Sequence, residues 1–488
     1  MQVFKSLAKE TIFYGLSYSL GRLLNFLLVT TYLTHKVFVA EDGSLSLYQD
    51  IYFYIALLLG LLTLRMETGL FRFLSDEKSD SQSIYALLSQ IVWLSCLVFI
   101  LLLWVFQKEA FDFLAYPSDY KNCIFLACGI IVLDVVTSLP FAKMRYDKKA
   151  KRYAWIKLFG ILVNIGLVIF FFELYLNSSQ LTNLAGQSKI YFILLANLIS
   201  SGVIFILLLR EFIQGFKLAD WSVLKKIFQY TWPLITITAI FTIIQNGYTS
   251  FLKFLLPGST FENLQASDQL NATVRLAVIM NIFITAFNYA AEPFFFRHSK
   301  EDDARLNYAR LNLFFVIACS IIYILTCTNL SLVSNFIGPG YRNSLPLLSV
   351  LLLGNIFYGI YTNFSSWYKL TDNTLMAAGI SFLGLILNII LFIFLTPRLG
   401  TSSAAWIFLI VNIVMCVFSY IQGAKYYPIP YELSKILAYL LVAIGISYLH
   451  NQYIHMHPLL NIIVSIIYSA SILYYAYKVE WKTNMQLK

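Results

Sequence analysis

Gly160-Ile161-Leu162-Val163-Asn164-Ile165-Gly166-Leu167-Val168-Ile169-Phe170 returns 224 residues later as Gly384-Leu385-Ile386-Leu387-Asn388-Ile389-Ile390-Leu391-Phe392-Ile393-Phe394. The shared pattern is G-x3-N-I-x-L-x-I-F, an apolar run broken by one amide side chain. Glu67-Thr68-Gly69-Leu70-Phe71-Arg72 returns in the same way as Glu292-Pro293-Phe294-Phe295-Phe296-Arg297, with the pattern E-x3-F-R and an offset of 225. Ile, Leu and Phe are common here, so either match alone is weak. Two matches at almost one offset point to an internal repeat.

The surrounding composition says in what solvent the repeat sits. Of the 488 residues, 59% are hydrophobic and 12% charged, and the mean hydropathy is +0.72. So few charges could not cover the surface of a water-soluble chain of this length. A soluble enzyme, a disordered chain and a secreted disulfide scaffold are excluded on this ground. A helix needs about 20 apolar residues to cross hydrocarbon. The apolar runs give fourteen such segments, near 11–33, 46–66, 84–106, 120–142, 154–175, 189–210, 230–254, 270–292, 311–331, 344–366, 374–396, 401–423, 433–449 and 457–478. No barrel-like alternation is present, which leaves helices as the spanning structure. The fold class is therefore an all-α polytopic membrane protein. Met1 to Glu10 reads as a short amphipathic stretch before a first span that is retained rather than cleaved.

The repeats pair the fifth span with the eleventh and the second with the eighth. A shift of six helices keeps orientation, so the halves are parallel repeats about an axis along the membrane normal. The expected division is a lobe over 1–218, a second lobe over 219–424 and an appended pair over 425–488. Transporters built this way carry substrate between lobes that rock.

Lys and Arg set the direction. Of 35, 26 fall on the side of the N-terminus, including Lys143, Arg145, Lys148, Lys149, Lys151, Arg152 and Lys157 after the fourth span. Lys36, Lys108, Lys121, Lys189, Lys253, Arg342 and Arg398 fall on the other side. Both termini are expected in the cytoplasm by the positive-inside rule. The net charge of +10 follows from this bias and from attraction to anionic headgroups, not from nucleic acid. The basic stretches at 143–157 and 297–310 would also draw a phosphate headgroup.

Polar residues inside the spans carry the functional expectation, because a charge in hydrocarbon is costly. Arg22 lies mid-span with Asn25 three residues on, and Arg275 lies in the eighth span, in the other lobe. Arginine presents a permanently charged fork that suits phosphate oxygens, so the pair suggests an anionic substrate. Gln245, Asn246, Asn281 and Asn288 would hydrogen-bond sugars or bridge helices, and Asn164 and Asn388 fit bridging better. Arg65, Glu67, Arg72, Asp134, Glu292 and Arg297 gather toward the cytoplasmic ends. Glu67 and Glu292 with Arg72 and Arg297 are expected to form a gate of exchanging ion pairs, and Asp134 or Glu292 to couple transport to H+ or Na+. Neither a GxxxxGK[ST] loop nor an HExxH motif is present, and no catalytic set, metal site or organic cofactor is expected.

Four further stretches carry a resemblance: Met66-Glu67-Thr68-Gly69-Leu70-Phe71-Arg72-Phe73, Leu139-Pro140-Phe141-Ala142-Lys143-Met144-Arg145, Ala290-Ala291-Glu292-Pro293-Phe294-Phe295-Phe296, and Asn363-Phe364-Ser365-Ser366-Trp367-Tyr368-Lys369-Leu370-Thr371-Asp372. They resemble the bacterial Wzx-type polysaccharide flippases of the multidrug/oligosaccharidyl-lipid/polysaccharide (MOP) exporter superfamily, in particular those of Bacteroidota. The resemblance implies fourteen helices as two six-helix bundles plus two. It implies flipping of undecaprenyl-pyrophosphate-linked oligosaccharide, such as O-antigen units for lipopolysaccharide, across the inner membrane by alternating access. It also implies working partners in a polysaccharide polymerase and glycosyltransferases. A lipid II flippase and a cation-coupled multidrug antiporter share the architecture and remain as alternatives. No covalent bond changes in any of these, so the chain is not expected to be an enzyme.

Overall fold

The computed structural model describes residues 20–74, 81–177, 188–297, 303–371, 374–454 and 457–482. The first half of the expected first span lies outside them; its second half is helical over 20–37, here α1. Thirteen long helices follow: α2 (Ser44–Leu62), α3 (Ser81–Val105), α4 (Lys121–Tyr146), α5 (Ala150–Asn177), α6 (Lys189–Leu207), α7 (Leu224–Asn246), α8 (Thr260–Arg297), α9 (Ala304–Cys327), α10 (Leu348–Phe364), α11 (Thr374–Leu399), α12 (Ser403–Tyr426), α13 (Leu433–Tyr453) and α14 (Pro458–Ala476). Twelve stretches from Ser44 onward are long and apolar enough to cross a membrane, and one of these, Leu375–Tyr426, holds both α11 and α12. The chain is thus an all-α, multi-pass membrane protein, as its hydropathy requires. The described helices leave large apolar side chains exposed, among them Leu102, Trp104, Ile393 and Leu441, as a lipid solvent permits.

Three of the boundaries that differ from the sequence reading bear on the site. The second span stops at Leu62 instead of 66. Leu64 and Arg65 take left-handed backbone, with φ of 48° and 54°, and a short helix, Met66–Leu74, starts afresh. The seventh span stops at Asn246 instead of 254, and the chain turns through Gly247 into the short helix Leu252–Leu255. α8 starts ten residues early, at Thr260. Its start carries a capping box: Ser259 N–H donates to Glu262 Oε2 at 2.8 Å, and Glu262 N–H donates to Ser259 Oγ at 3.4 Å.

The chain divides into two compact units after Asp268. In the first, α4 and α5 both pack on α6, while α2 lies against α4 and α7. Phe141, Met144, Ile156 and Leu208 form a small core at the ends of α4, α5 and α6. In the second, α10 packs most extensively on α12, which also carries α11. A Cβ added at Gly354 would stand 2.5 Å from the Phe408 ring, so this helix pair is as close as glycine allows. α9 packs against α10 and carries the appended helices α13 and α14.

Candidate functional site: buried charges of the membrane helices

The first unit holds a buried ion pair that joins distant parts of the sequence. Asp50 lies on the second turn of α2, among Tyr48, Ile51 and Phe53, and is 2% exposed. Lys253 comes from the short helix after α7 and is 1% exposed. Its Nζ donates to Asp50 Oδ2 at 2.5 Å. Tyr116 Oη donates to the same oxygen at 2.6 Å. The rings of Tyr54, Tyr116 and Phe254 stand 4.9, 5.0 and 4.7 Å from the ammonium. A desolvated cation gains most from such rings. Burial pushes the Lys253 ammonium below its usual pKa, and Asp50 opposes that shift.

A second carboxylate closes the same face. Asp268, on α8, accepts from Gly43 N–H at 2.9 Å and Ser46 N–H at 2.8 Å, at the N-terminus of α2. An anion there satisfies orphan donors and lies along the helix dipole. Gly43 has φ +81°, and a Cβ there would meet Gln265 at 3.0 Å, so glycine is required twice over. Asn263 ties down the connection by donating its amide to the carbonyls of Lys253, Leu256 and Gly258 at 2.9–3.0 Å.

At the opposite ends of these helices, Glu67 and Arg72 have neighbours other than each other. Glu67 Oε2 accepts from Arg145 Nη2 at 2.6 Å; Arg145 comes from α4 and also lies over Phe71. Arg72 lies 5.0 Å over the ring of Tyr230 instead of on Glu67. Arg65 is half-buried at the left-handed turn. Arg152 makes a two-pronged pair with Glu211, at 2.6 and 3.1 Å. Lys143 lies over Tyr85, Lys157 over Phe141, and Lys149 pairs with Asp147. The basic stretch 143–157 was expected to attract headgroups, but much of its charge is spent inside the unit, because α4 and α5 bring their cations onto Glu67, Glu211 and aromatic rings. Asp134 is half-buried on α4 and accepts from Ser201 Oγ of α6 at 2.8 Å.

Of the expected substrate contacts, Arg22 is half-buried on α1 and Asn25 exposed, and Gln245 is half-buried and Asn246 exposed at the end of α7. In the second unit, Arg275 is half-buried on α8. Asn281 accepts from Thr285 Oγ1 one turn on, through its carbonyl at 2.8 Å and its Oδ1 at 3.2 Å. The side chains of Glu292 and Arg297 lie outside the described residues. The repeat asparagines do not bridge helices: Asn164 Oδ1 and both amide atoms of the fully buried Asn388 find no hydrogen-bond partner among the described residues. Asn363 to Tyr368 pack as core. Asn363 donates to Asn312 at 3.0 Å, Trp367 stacks on Tyr426, and Tyr361 and Tyr368 share a hydroxyl bond at 3.0 Å.

Sequence reading passed over Asp50, Lys253 and Asp268. The signal for Asp50 was the one that found Arg22, a charge within an apolar span. Lys253 was counted as a loop cation, because nothing local shows that its chain folds back into the unit. The Ser259–Glu262 box marked the early start of α8 and with it the placement of Asp268.

No protein-family model and no curated protein matches the sequence. Solved structures do match. The chain is similar to lipid II flippase MurJ in an inward closed conformation, with a TM-score of 0.67 and 16% identity, over 96% of this chain and 99% of that one. It is similar to a multidrug resistance MATE family transporter of the MOP superfamily in its inward-facing conformation, with a TM-score of 0.62 and 13% identity, over 86% and 95%. It is also similar to the Vibrio cholerae MATE transporter VcmN in its bent form, with a TM-score of 0.54 and 14% identity, over 90% and 99%. The chain therefore has the fold of the MOP-superfamily transporters.

Proposed function

We propose that the chain flips a pyrophosphate-linked oligosaccharide lipid from the cytoplasmic to the outer leaflet of the bacterial inner membrane, by alternating access between lobes 1–218 and 219–424. The observation that carries the reading is coverage. The lipid II flippase aligns with 96% of the chain, while the multidrug transporters align with 86% and 90% and leave a remainder about the size of the appended pair α13 and α14. The half-buried Arg22 and Arg275 support an anionic headgroup, and the amides of Asn25, Gln245, Asn246 and Asn281 support a sugar. A sugar–pyrophosphate head cannot cross about 30 Å of hydrocarbon unaided, whereas its tail can stay in lipid. The resemblance to Wzx-type flippases favours an oligosaccharide over the lipid II head, and it brings in a polymerase and glycosyltransferases as partners.

In this reading, Asp50–Lys253 and Asp268 with the N-terminus of α2 are outer latches. Each joins a residue before 218 to one after it, on the face opposite the termini, and each breaks when that face opens. Glu67–Arg145, Arg72 and Arg65 belong to the inner face, with Glu292 and Arg297 as their repeat counterparts, and Asp134 is the site for H+ or Na+ coupling. Both termini are cytoplasmic.

The test is flipping in proteoliposomes loaded with pyrophosphate-linked oligosaccharide lipid, wild type beside Arg22→Ala. The expected result is translocation by wild type and its loss in a variant that still inserts and folds. Absence of translocation by folded wild type, with cation-driven drug efflux present, would replace the proposal by the antiporter.

A further inference from the structure

The first unit carries an amphiphile-shaped site that adjoins the buried Asp50–Lys253 pair through Tyr54 and Tyr116. Between α2, α3, α4 and the short helix Gln107–Leu114 lies a cleft of about 220 Å³, lined by side chains such as Tyr54, Phe99, Phe113, Tyr116, Ile124 and Ala127. No charged residue lines it. An engineered apolar cavity of about 150 Å³ stays dry and binds benzene, so this space suits a run of methylenes and not water. Tyr116 and Ile124 also line a second recess, more polar than the first, whose wall includes Gln107, Lys108, Asp112 and Lys121 beside Val105 and Phe111. The apolar chamber and the basic recess therefore adjoin through two shared residues.

The surroundings place this site at a membrane interface. Trp104 is 77% exposed at the end of α3, and Phe113 is exposed on the short helix beside charged Lys108, Glu109 and Asp112. An exposed Trp and a short amphipathic helix are the usual marks of headgroup level. Lys108 and Lys121 are exposed and make no ion pair among the described residues. That contrasts with the stretch 143–157, where most cations are engaged.

We infer that this is a binding site for one anionic phospholipid of the surrounding bilayer, with part of an acyl chain in the chamber and the phosphate on Lys108 and Lys121. Charge selects an anionic headgroup, since two lysines outweigh Asp112 in the recess. Size selects an acyl segment over a long polyprenyl tail, most of which would hang outside. The chain would pack on Tyr54 and Tyr116, the same two rings that flank the Lys253 ammonium, so lipid occupancy would bear on the buried pair.

The experiment is native mass spectrometry of the full-length protein from detergent, titrated with phosphatidylglycerol or with phosphatidylcholine of identical chains. One tightly held phosphatidylglycerol is expected, retained at least ten-fold better than phosphatidylcholine. Lys108→Ala and Lys121→Ala should each weaken it about five-fold, as expected for one basic residue near a lipid surface. Ala110→Phe, on the half-buried face of the short helix, should block the chamber and release both lipids without unfolding the protein. Equal retention of the two lipids, indifference to either lysine, or indifference to Ala110→Phe would each overturn the site. Displacement of phosphatidylglycerol by an equimolar polyprenyl phosphate would overturn its assignment to a bilayer lipid.

Discussion

Lys253 Nζ rests 2.5 Å from Asp50 Oδ2 although 203 residues separate them in sequence, and both side chains are almost wholly withdrawn from solvent. Such a pair is costly to break and cheap to replace: losing one partner strands a buried charge, while an apolar pair of similar volume need not destabilise at all.

Asp50→Ala and Lys253→Ala should therefore each destabilise by about 3–5 kcal/mol. Asp50→Leu combined with Lys253→Met should fall near the wild type. Thermal unfolding in detergent reads both, and equal losses in single and double variants would remove the coupling. If the pair is also an outer latch, the double variant keeps its stability but spends more time open on that face, which cysteine accessibility beside Gly43 would register.

The Asp268 cap should be smaller in effect. Asp268→Ala strands the N–H groups of Gly43 and Ser46, at a cost of about 1–3 kcal/mol. Gly43→Ala should destabilise for a different reason, a forced left-handed alanine pressed on Gln265. Thermal melts of the two variants and of their combination would test this, since sharing one contact makes the losses less than additive.

The Glu67–Arg145 and Glu211–Arg152 ion pairs should differ by exposure. The Glu67 and Arg145 side chains are 37% and 34% exposed, so Glu67→Gln should change stability by less than about 1 kcal/mol. Glu211 is 4% exposed and held by two bonds, so Arg152→Ala should cost about 1–3 kcal/mol. A flipping defect in Glu67→Gln at unchanged stability would favour a gating role over a structural one.

Asn388 gives the opposite sign. A buried amide without partners carries its desolvation penalty uncompensated. Asn388→Leu should stabilise by about 1 kcal/mol in thermal unfolding. A loss of stability would restore the bridging role expected from the repeat.

What could be read in advance was whatever depends on a local run of residues. The all-α class and the apolar spans from Ser44 onward follow from apolar stretches, because hydrocarbon forces each stretch to satisfy its own backbone. Interior boundaries were less legible: turns at Leu64–Arg65 and Gly247 cut helices whose apolar composition continues. Partners were hardly legible at all. Glu67 was expected in a gate with Arg72, Glu292 and Arg297, yet α4 brings Arg145 to it across 78 residues. Asn363 to Tyr368, whose polar and aromatic residues stand out in the chain, turned out to be packing.

By itself, then, the sequence determined the solvent and the all-α class, since hydropathy acts over one helix at a time. Only the tertiary structure decided which charges are paired and where an apolar chamber opens. Those depend on burial and on side chains from distant helices meeting within a few ångströms, and Lys253 looks the same in a list of loop cations whether or not Asp50 is waiting for it.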